Sequence, residues 1–313
     1  MEEKKTILDI RNLSVTFTQY SRGFQKTELP VIRDLNVRVR EGEMTAVVGS
    51  SGSGKSLLAH AVMDILPYNA AFSGSIDYMG EPLTSRRIGK LRGREIVLVP
   101  QSVAYLDPLM KVGGQLRKGR KDRETGERIS ETLTRYGLEP EVEKKYPFEL
   151  SGGMARRILI STAVIERPKL VIADEPTPGL HLDTARRVLG HFREMADGGA
   201  GVLLITHDLE LALTVADRVV VFYAGTTVEE ALVKDFDREE TLRHPYTRAL
   251  FRAMPRNGFQ FITGTQPFVK DLPKGCPFAP RCGEACEECA GEIPYREVRG
   301  GYVRCVRQAG EMI

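Results

Sequence analysis

Eight consecutive residues, Gly49-Ser50-Ser51-Gly52-Ser53-Gly54-Lys55-Ser56, follow the pattern G-x-x-x-x-G-K-S, a spacing suited to holding a polyphosphate. Its glycines let successive backbone N–H groups curl around phosphate oxygens, and a helix opening at the end of the run adds its positive pole. Lys55 is placed to reach the β- and γ-phosphates, and the Ser56 hydroxyl to ligate Mg²⁺. Asp174-Glu175 follows directly on the apolar run Leu170-Val171-Ile172-Ala173. Phosphoryl transfer to water needs one carboxylate for the metal and one to orient and polarise the water. Asp174 takes the first role and Glu175 the second. Gln101 and His207 follow two other short apolar runs. There Gln101 is a candidate contact for Mg²⁺ or the attacking water, and His207 for the γ-phosphate. Read singly, the glutamine is equally a surface or cap group and the histidine a structural hydrogen-bonder.

Such groups have to be carried by strands that end at one edge of a sheet, with a helix behind the loop. Residues 6–17, 33–40 and 44–48 read as short strands, the first two partly alternating. Residues 56–66 read as a helix closed by Pro67, and 96–99 as a short apolar strand. The runs 170–173 and 202–205 have the continuous apolar character of buried parallel strands. Between them Ala185, Val188, Leu189, Phe192 and Met195 recur at helical spacing. Strand, helix, strand in that order specifies an α/β sandwich. Residues 104–165 are mostly helical and interrupt the order, as an inserted subdomain would. Within them 116–131 is charge-rich and glycine-dotted and reads as a solvated loop.

Composition excludes several classes of partner. The 313 residues carry 45 basic and 42 acidic side chains, a net charge of +3, and no Trp. Neither a strong positive field nor an aromatic platform is present for nucleic acid. No apolar run approaches the roughly 18 to 20 residues needed to span a bilayer, and the charged start MEEKKTILDI lacks the apolar stretch of a signal peptide. The chain is therefore expected to be soluble and cytosolic. All five cysteines (Cys276, Cys282, Cys286, Cys289 and Cys305) lie in the last 38 residues. An odd, clustered set in such a chain points to bound metal or free thiols rather than disulfides.

Five elements stand in order: the phosphate loop, Gln101, Leu150-Ser151-Gly152-Gly153-Met154, Asp174-Glu175-Pro176-Thr177 and Thr206-His207-Asp208. Ser151, Gly152 and Gly153 can open a helix whose N-terminus meets phosphate, although alone they are also an ordinary capped helix start. Together the five resemble the ATP-binding subunit of an ABC transporter, over about residues 6–230. The resemblance implies a P-loop (RecA-like) α/β core with the helical insertion and a small antiparallel β part. It implies two ATPs buried between two head-to-tail subunits, with Ser151, Gly152 and Gly153 facing the ATP held by the other subunit. It also implies an aromatic from an early strand stacked on adenine. Phe17 is the candidate and Tyr20 the reserve, each equally readable as a core or turn aromatic. Two positions depart from the pattern: His181 stands where the family has Asp, and Arg156 where it often has Gln. Both positions serve contacts across the dimer in the family, so a weakened contribution to the partner site is expected. A heterodimer with a second homologous ATPase subunit would tolerate that.

The stretch Gln101-Ser102-Val103-Ala104-Tyr105-Leu106-Asp107-Pro108, then Val112-Gly113-Gly114-Gln115, resembles the oligopeptide/dipeptide/nickel importer subfamily. So does His244-Pro245-Tyr246-Thr247-Arg248-Ala249-Leu250. In that subfamily Cys276, Cys282, Cys289 and Cys305 match a tail motif position for position, and Cys286 is extra. Four thiolates suit either a [4Fe–4S] cluster or tetrahedral Zn²⁺, with unliganded thiols the plain alternative. The resemblance favours the iron–sulfur cluster. The expected division is an ATP-binding domain over 1–235 and a peptide/nickel-type C-terminal extension with the cysteine cluster over 236–313. The implied partners are the second ATPase subunit, two integral membrane permease subunits and an extracytoplasmic solute-binding protein, with no nucleic acid. The expected place is peripheral, on the cytoplasmic face of the membrane. The expected activity is ATP hydrolysis energising solute import, of di- or oligopeptides first. A nickel or metal-chelate importer and a non-transport ABC ATPase are the alternatives.

Overall fold

The computed structural model describes residues 4–20, 26–50 and 52–307, without the side chain of Val269. The chain opens with a long antiparallel pair, β1 (Thr6–Tyr20) and β2 (Lys26–Arg40). The fully buried β3 (Met44–Gly49) leads through the phosphate loop into α1 (Lys55–Val62). Then β4 (Ala70–Tyr78) returns to pair with β1, and the short β5 (Glu81–Pro82) completes a four-stranded sheet in the order β2-β1-β4-β5. After α2 (Ser85–Leu91), β6 (Ile96–Val99) joins the main sheet. The helical insertion follows as α3 (Val112–Arg117), α4 (Arg123–Arg135) and α5 (Gly152–Val164). The α/β order resumes with β7 (Leu170–Asp174), α6 (Leu182–Asp197), β8 (Gly201–Thr206), α7 (Leu209–Leu213), β9 (Arg218–Tyr223) and β10 (Thr226–Leu232). The chain ends in α8 (Pro245–Ala253), β11 (Arg296–Val298) and β12 (Gly301–Val303).

The main sheet runs β11-β12-β10-β9-β3-β8-β7-β6. Its last five strands are parallel, which sets the C-terminal ends of β3, β6, β7 and β8 at one edge. Both faces of these strands are buried. Along β7, Leu170 and Ile172 face the antiparallel sheet while Val171 and Ala173 face the helices, and β8 divides Leu203 and Ile205 from Val202 and Leu204 in the same way. A strand with a period of two buried on both sides needs an unbroken apolar sequence, which explains why β7 and β8 are legible.

One expectation is revised. Residues 123–135 are helix, not solvated loop: Asp122 caps the first turn by accepting from Thr125 N at 2.7 Å, and Thr125, Ile129 and Leu133 bury one narrow stripe at a spacing of four. A charged sequence hides so thin an apolar face. The cysteine-rich tail packs onto the ATPase core. Strand β12 pairs with β10 and so extends the ATPase sheet. Tyr246, Met254, Phe278 and Ile293 belong to the same apolar core as Met44, Val171 and Val202. The junction is pinned by Glu229, wholly buried on β10, which accepts from Arg243 N at 2.9 Å, Arg243 Nη1 at 3.1 Å and His244 N at 2.8 Å.

Candidate nucleotide site

The loop between β3 and α1 is shaped by glycine where no other residue fits. A Cβ on Gly49 would collide with the Phe222 carbonyl oxygen, and Gly54 caps α1 with φ at +96°. Lys55 is 5% exposed. Its Nζ donates to the Gly49 and Ser50 carbonyls at 2.9 Å each and lies 4.0 Å from Glu175 Oε1. Burial pulls the Lys55 ammonium down from its ordinary value, and the charges of Glu175 and Asp174 offset part of that. The Ser50 hydroxyl donates to Gln266 Oε1 at 2.6 Å. Ser53 is buried, with its hydroxyl lacking a partner among the described residues, while Gly52 has open space around it at φ +75°. Ser51 lies outside the described residues.

At the end of β7 two adjacent carboxylates have different surroundings. Asp174 is 3% exposed, and burial pushes its carboxyl up, with only partial relief from a hydrogen bond to Ser56. Its Oδ1 has no hydrogen-bond partner among the described residues. A buried carboxylate oxygen left bare beside a serine hydroxyl is an unmet need for a cation, so this donor pair fits Mg²⁺. Glu175 is held at φ +45°, a strained value for a side chain of its size, by its own N–H donating to Ile205 O at 2.9 Å. Its Oε2 lies 2.7 Å from His207 Nδ1. An ionised carboxylate only accepts, so Nδ1 carries the proton in this pair. Neutral His207 then has only a lone pair at Nε2. Donation to a phosphate would require a doubly protonated ring at Nε2, or Nδ1 released from Glu175.

The structure therefore gathers Gly49, Ser50, Lys55, Ser56, Asp174, Glu175 and His207 at one edge of the sheet. Gln101 lies beyond the end of β6, exposed, and no hydrogen bond ties it to the carboxylates among the described residues. The exposed apolar side chains Val103, Tyr105, Leu109 and Met110 follow it. Ser151 caps α5 by accepting from Met154 N at 3.3 Å, and Gly152 and Gly153 have open space beside them, so this helix start faces outward. Phe17 is half-buried against the core under the antiparallel sheet, whereas Tyr20 is 71% exposed. His181 is exposed at the N-terminus of α6.

Arg156 is buried within its own chain, donating from Nη1 to Pro100 O at 3.1 Å; burial lowers its guanidinium from the ordinary value, and the charges of Asp174 and Glu175 offset part of that. It ties the helix of Ser151–Gly153 to the Gln101 segment. Its place seven-hundredths exposed on an otherwise apolar helix face was not readable from one-letter spacing.

Cys276, Cys282, Cys289 and Cys305 line one small pocket with Phe278, Ile293 and Val306, and Cys286 is absent from that lining. Burial pushes the Cys276 thiol up to about 11 and raises those of Cys282 and Cys305. Among the described residues no three of His, Cys, Asp and Glu are gathered closely enough to hold a metal ion. Cys286 and Cys289 lie 3.6 Å apart, sulfur to sulfur.

A doubly wound parallel sheet with a phosphate loop, a carboxylate pair at a neighbouring strand end and a helical insertion opening on Ser-Gly-Gly defines an ATP-binding cassette ATPase. Residues 32–178 match the family model described as ABC transporter, and residues 228–289 match that described as Oligopeptide/dipeptide transporter, C-terminal region. The chain is 34% identical over 331 residues to "Oligopeptide transport ATP-binding protein OppD" of Escherichia coli (strain K12), covering 100% of this chain and 96% of that one. To "Oligopeptide transport ATP-binding protein AppD" of Bacillus subtilis (strain 168) it is 34% identical over 323 residues, covering 96% of each. Among solved structures it resembles an ATP-binding subunit of an ABC transporter, with a TM-score of 0.60, 26% identity, and coverage of 76% of this chain and 94% of that one. The chain thus belongs to the ATP-binding subunits of the oligopeptide/dipeptide ABC transporter family. It is an ATPase, converting ATP and water to ADP and phosphate. Among the described residues no helix is long and apolar enough to cross a membrane.

Proposed function

We propose that this chain energises import of di- and oligopeptides, with ATP hydrolysed at the edge of its parallel sheet. The observation that carries the reading is full-length similarity to oligopeptide transport ATPases, including a tail that matches the oligopeptide/dipeptide C-terminal region. The backbone of Gly49–Gly54 cradles the phosphates, and Lys55 moves from its two carbonyls onto the β- and γ-oxygens. Glu175 orients and polarises water, and His207 and Gln101 hold the γ-phosphate end. Asp174 and Ser56 would hold Mg²⁺, joined by Gln101, and the ion when bound neutralises charge on the phosphate oxygens. Phe17, with Tyr20 in reserve, stacks on adenine.

The outward-facing Ser151, Gly152 and Gly153 serve the ATP of a second ATPase subunit. His181, exposed and without a fixed negative charge, favours a non-identical partner. The exposed Val103, Tyr105, Leu109 and Met110 beside Gln101 suit docking on one of two permease subunits, at the cytoplasmic face of the membrane. An extracytoplasmic solute-binding protein supplies the peptide. The test is the ATPase rate of the reconstituted complex. Peptide-loaded binding protein is expected to raise the rate severalfold above the empty form. Stimulation by a nickel chelate instead would reassign the cargo and leave the residue roles intact.

The shared pocket supports Cys276, Cys282, Cys289 and Cys305 as ligands of a [4Fe–4S] cluster, within a domain boundary near 235. Their buried thiols must lose protons to bind metal. Anaerobically purified Cys282→Ser is expected to lose its iron and sulfide, whereas Cys286→Ser should keep both. Zinc in place of iron would make the site tetrahedral Zn²⁺, and equal metal content in both variants would remove this ligand set.

A further inference from the structure

One neighbour of the phosphate loop belongs to none of its motifs. Gln266, 216 residues further along the chain, accepts the Ser50 hydroxyl at 2.6 Å. The segment that carries it, residues 259–268, has neither helix nor strand, so its place depends on side chains that grip its backbone. Arg281 supplies that grip. Its Nε donates to Thr263 O at 2.7 Å and its Nη2 to Ile262 O at 3.2 Å. Its third arm, Nη1, donates to Tyr223 Oη at 3.2 Å. Tyr223 ends β9, and the residue before it, Phe222, pairs with Gly49 and leaves no room there for a Cβ. One guanidinium therefore ties together both supports of the loop's first two residues. Arg281 is itself fixed, 5.9 Å from the ring centres of Tyr223 and the buried Phe278.

Ser50 is consequently held at two atoms. Its hydroxyl is on Gln266, and its carbonyl receives Lys55 Nζ at 2.9 Å. Any shift of Ser50 moves the carbonyl that stations the phosphate-binding lysine. The cleft bounded by Gly49, Ser50, His207, Gln266 and Arg281 is continuous, so the tail borders the loop directly.

We propose that Gln266 and Arg281 are positioning residues for nucleotide binding: Gln266 fixes Ser50 in the conformation that receives the phosphates, and Arg281 fixes Gln266. The tail thereby sets the ATP affinity of a loop more than two hundred residues before it. The inference rests on the nucleotide reading of that loop, and ATP binding by the unsubstituted chain tests that reading separately.

The experiment measures ATP affinity in the full chain carrying Glu175→Gln, and KM and kcat in the chain without it. Gln266→Ala is expected to weaken ATP binding roughly three- to tenfold, the scale of one lost hydrogen bond, and to raise KM by a larger factor than it lowers kcat. Gln266→Met, of similar size but without the acceptor, should behave like Gln266→Ala. In a double-mutant cycle with Ser50→Ala, the two effects should be strongly non-additive, because both remove the same bond. Arg281→Lys keeps the charge but not the three-way fork, and should weaken binding in the same direction. Unchanged or tighter ATP binding in Gln266→Ala, full affinity in Gln266→Met, or additive effects in the cycle would each overturn the proposal. The Gln266 variants alter an irregular segment and decide the matter even where an Arg281 variant fails to fold.

Discussion

Glu175→Gln should leave ATP binding intact while hydrolysis falls by at least about a hundredfold, the loss expected when a general base is removed. The substitution preserves shape. A glutamine oxygen can still accept from His207 Nδ1, now 2.7 Å from Glu175 Oε2, and the strained backbone at φ +45° is untouched. What disappears is a carboxylate able to draw a proton from water. Measured together, equilibrium binding and phosphate release separate the two roles, and hydrolysis at the unsubstituted rate would take Glu175 out of the chemistry. The same structure sets the two adjacent acids apart. Among the described residues Glu175 is the acid hydrogen-bonded to His207, while Asp174 lies deeper with a bare Oδ1.

Lys55→Ala should act earlier, on binding itself. Lys55 is buried among carbonyl oxygens, with two carboxylates contributing to its field. Removing it deletes a charge-assisted contact to phosphate, about 1.5 to 3 kcal/mol, and leaves Asp174 and Glu175 facing an incoming polyanion with less compensation. We expect ATP affinity to fall by about a hundredfold or more, with hydrolysis lost in proportion, by calorimetry and phosphate release. Lys55→Arg should not rescue it, because a planar fork of greater bulk does not fit where the ammonium is 5% exposed. Binding at the unsubstituted level in Lys55→Ala would mean that the loop backbone alone holds the phosphates.

Much of this site was legible because its parts are local. The phosphate loop is eight adjacent residues, Asp174-Glu175 is a dipeptide, and β3, β7 and β8 announce themselves by unbroken apolar sequence. Less visible were the elements whose burial is one-sided. Strand β4 exposes Phe72, Ser73 and Gly74, and α4 buries a stripe too thin to outweigh its charges. Strand β9 carries an apolar run and β10, with its paired glutamates, does not; their order beside β3 depends on long-range pairing that no local window holds. Contacts across great chain distances were unreadable for the same reason. Arg156 reaches Pro100 over 56 residues, and Gln266 reaches Ser50 over 216. The tail was recognised by its cysteines, yet its integration into the sheet had no signature, since β11 and β12 are three residues each.

That integration bears on how the molecule is made. When β10 leaves the ribosome, its outer backbone edge has no neighbour until residues 301–303 are synthesised about seventy positions later. During that interval the strand is paired on one side alone, with β9. Glu229 gains its partners as soon as Arg243 and His244 follow, and Glu230 faces Arg218 of the neighbouring strand, well before residues 301–303 close the outer edge. The sheet that carries the phosphate loop thus receives its outer strands from residues made long after the loop itself.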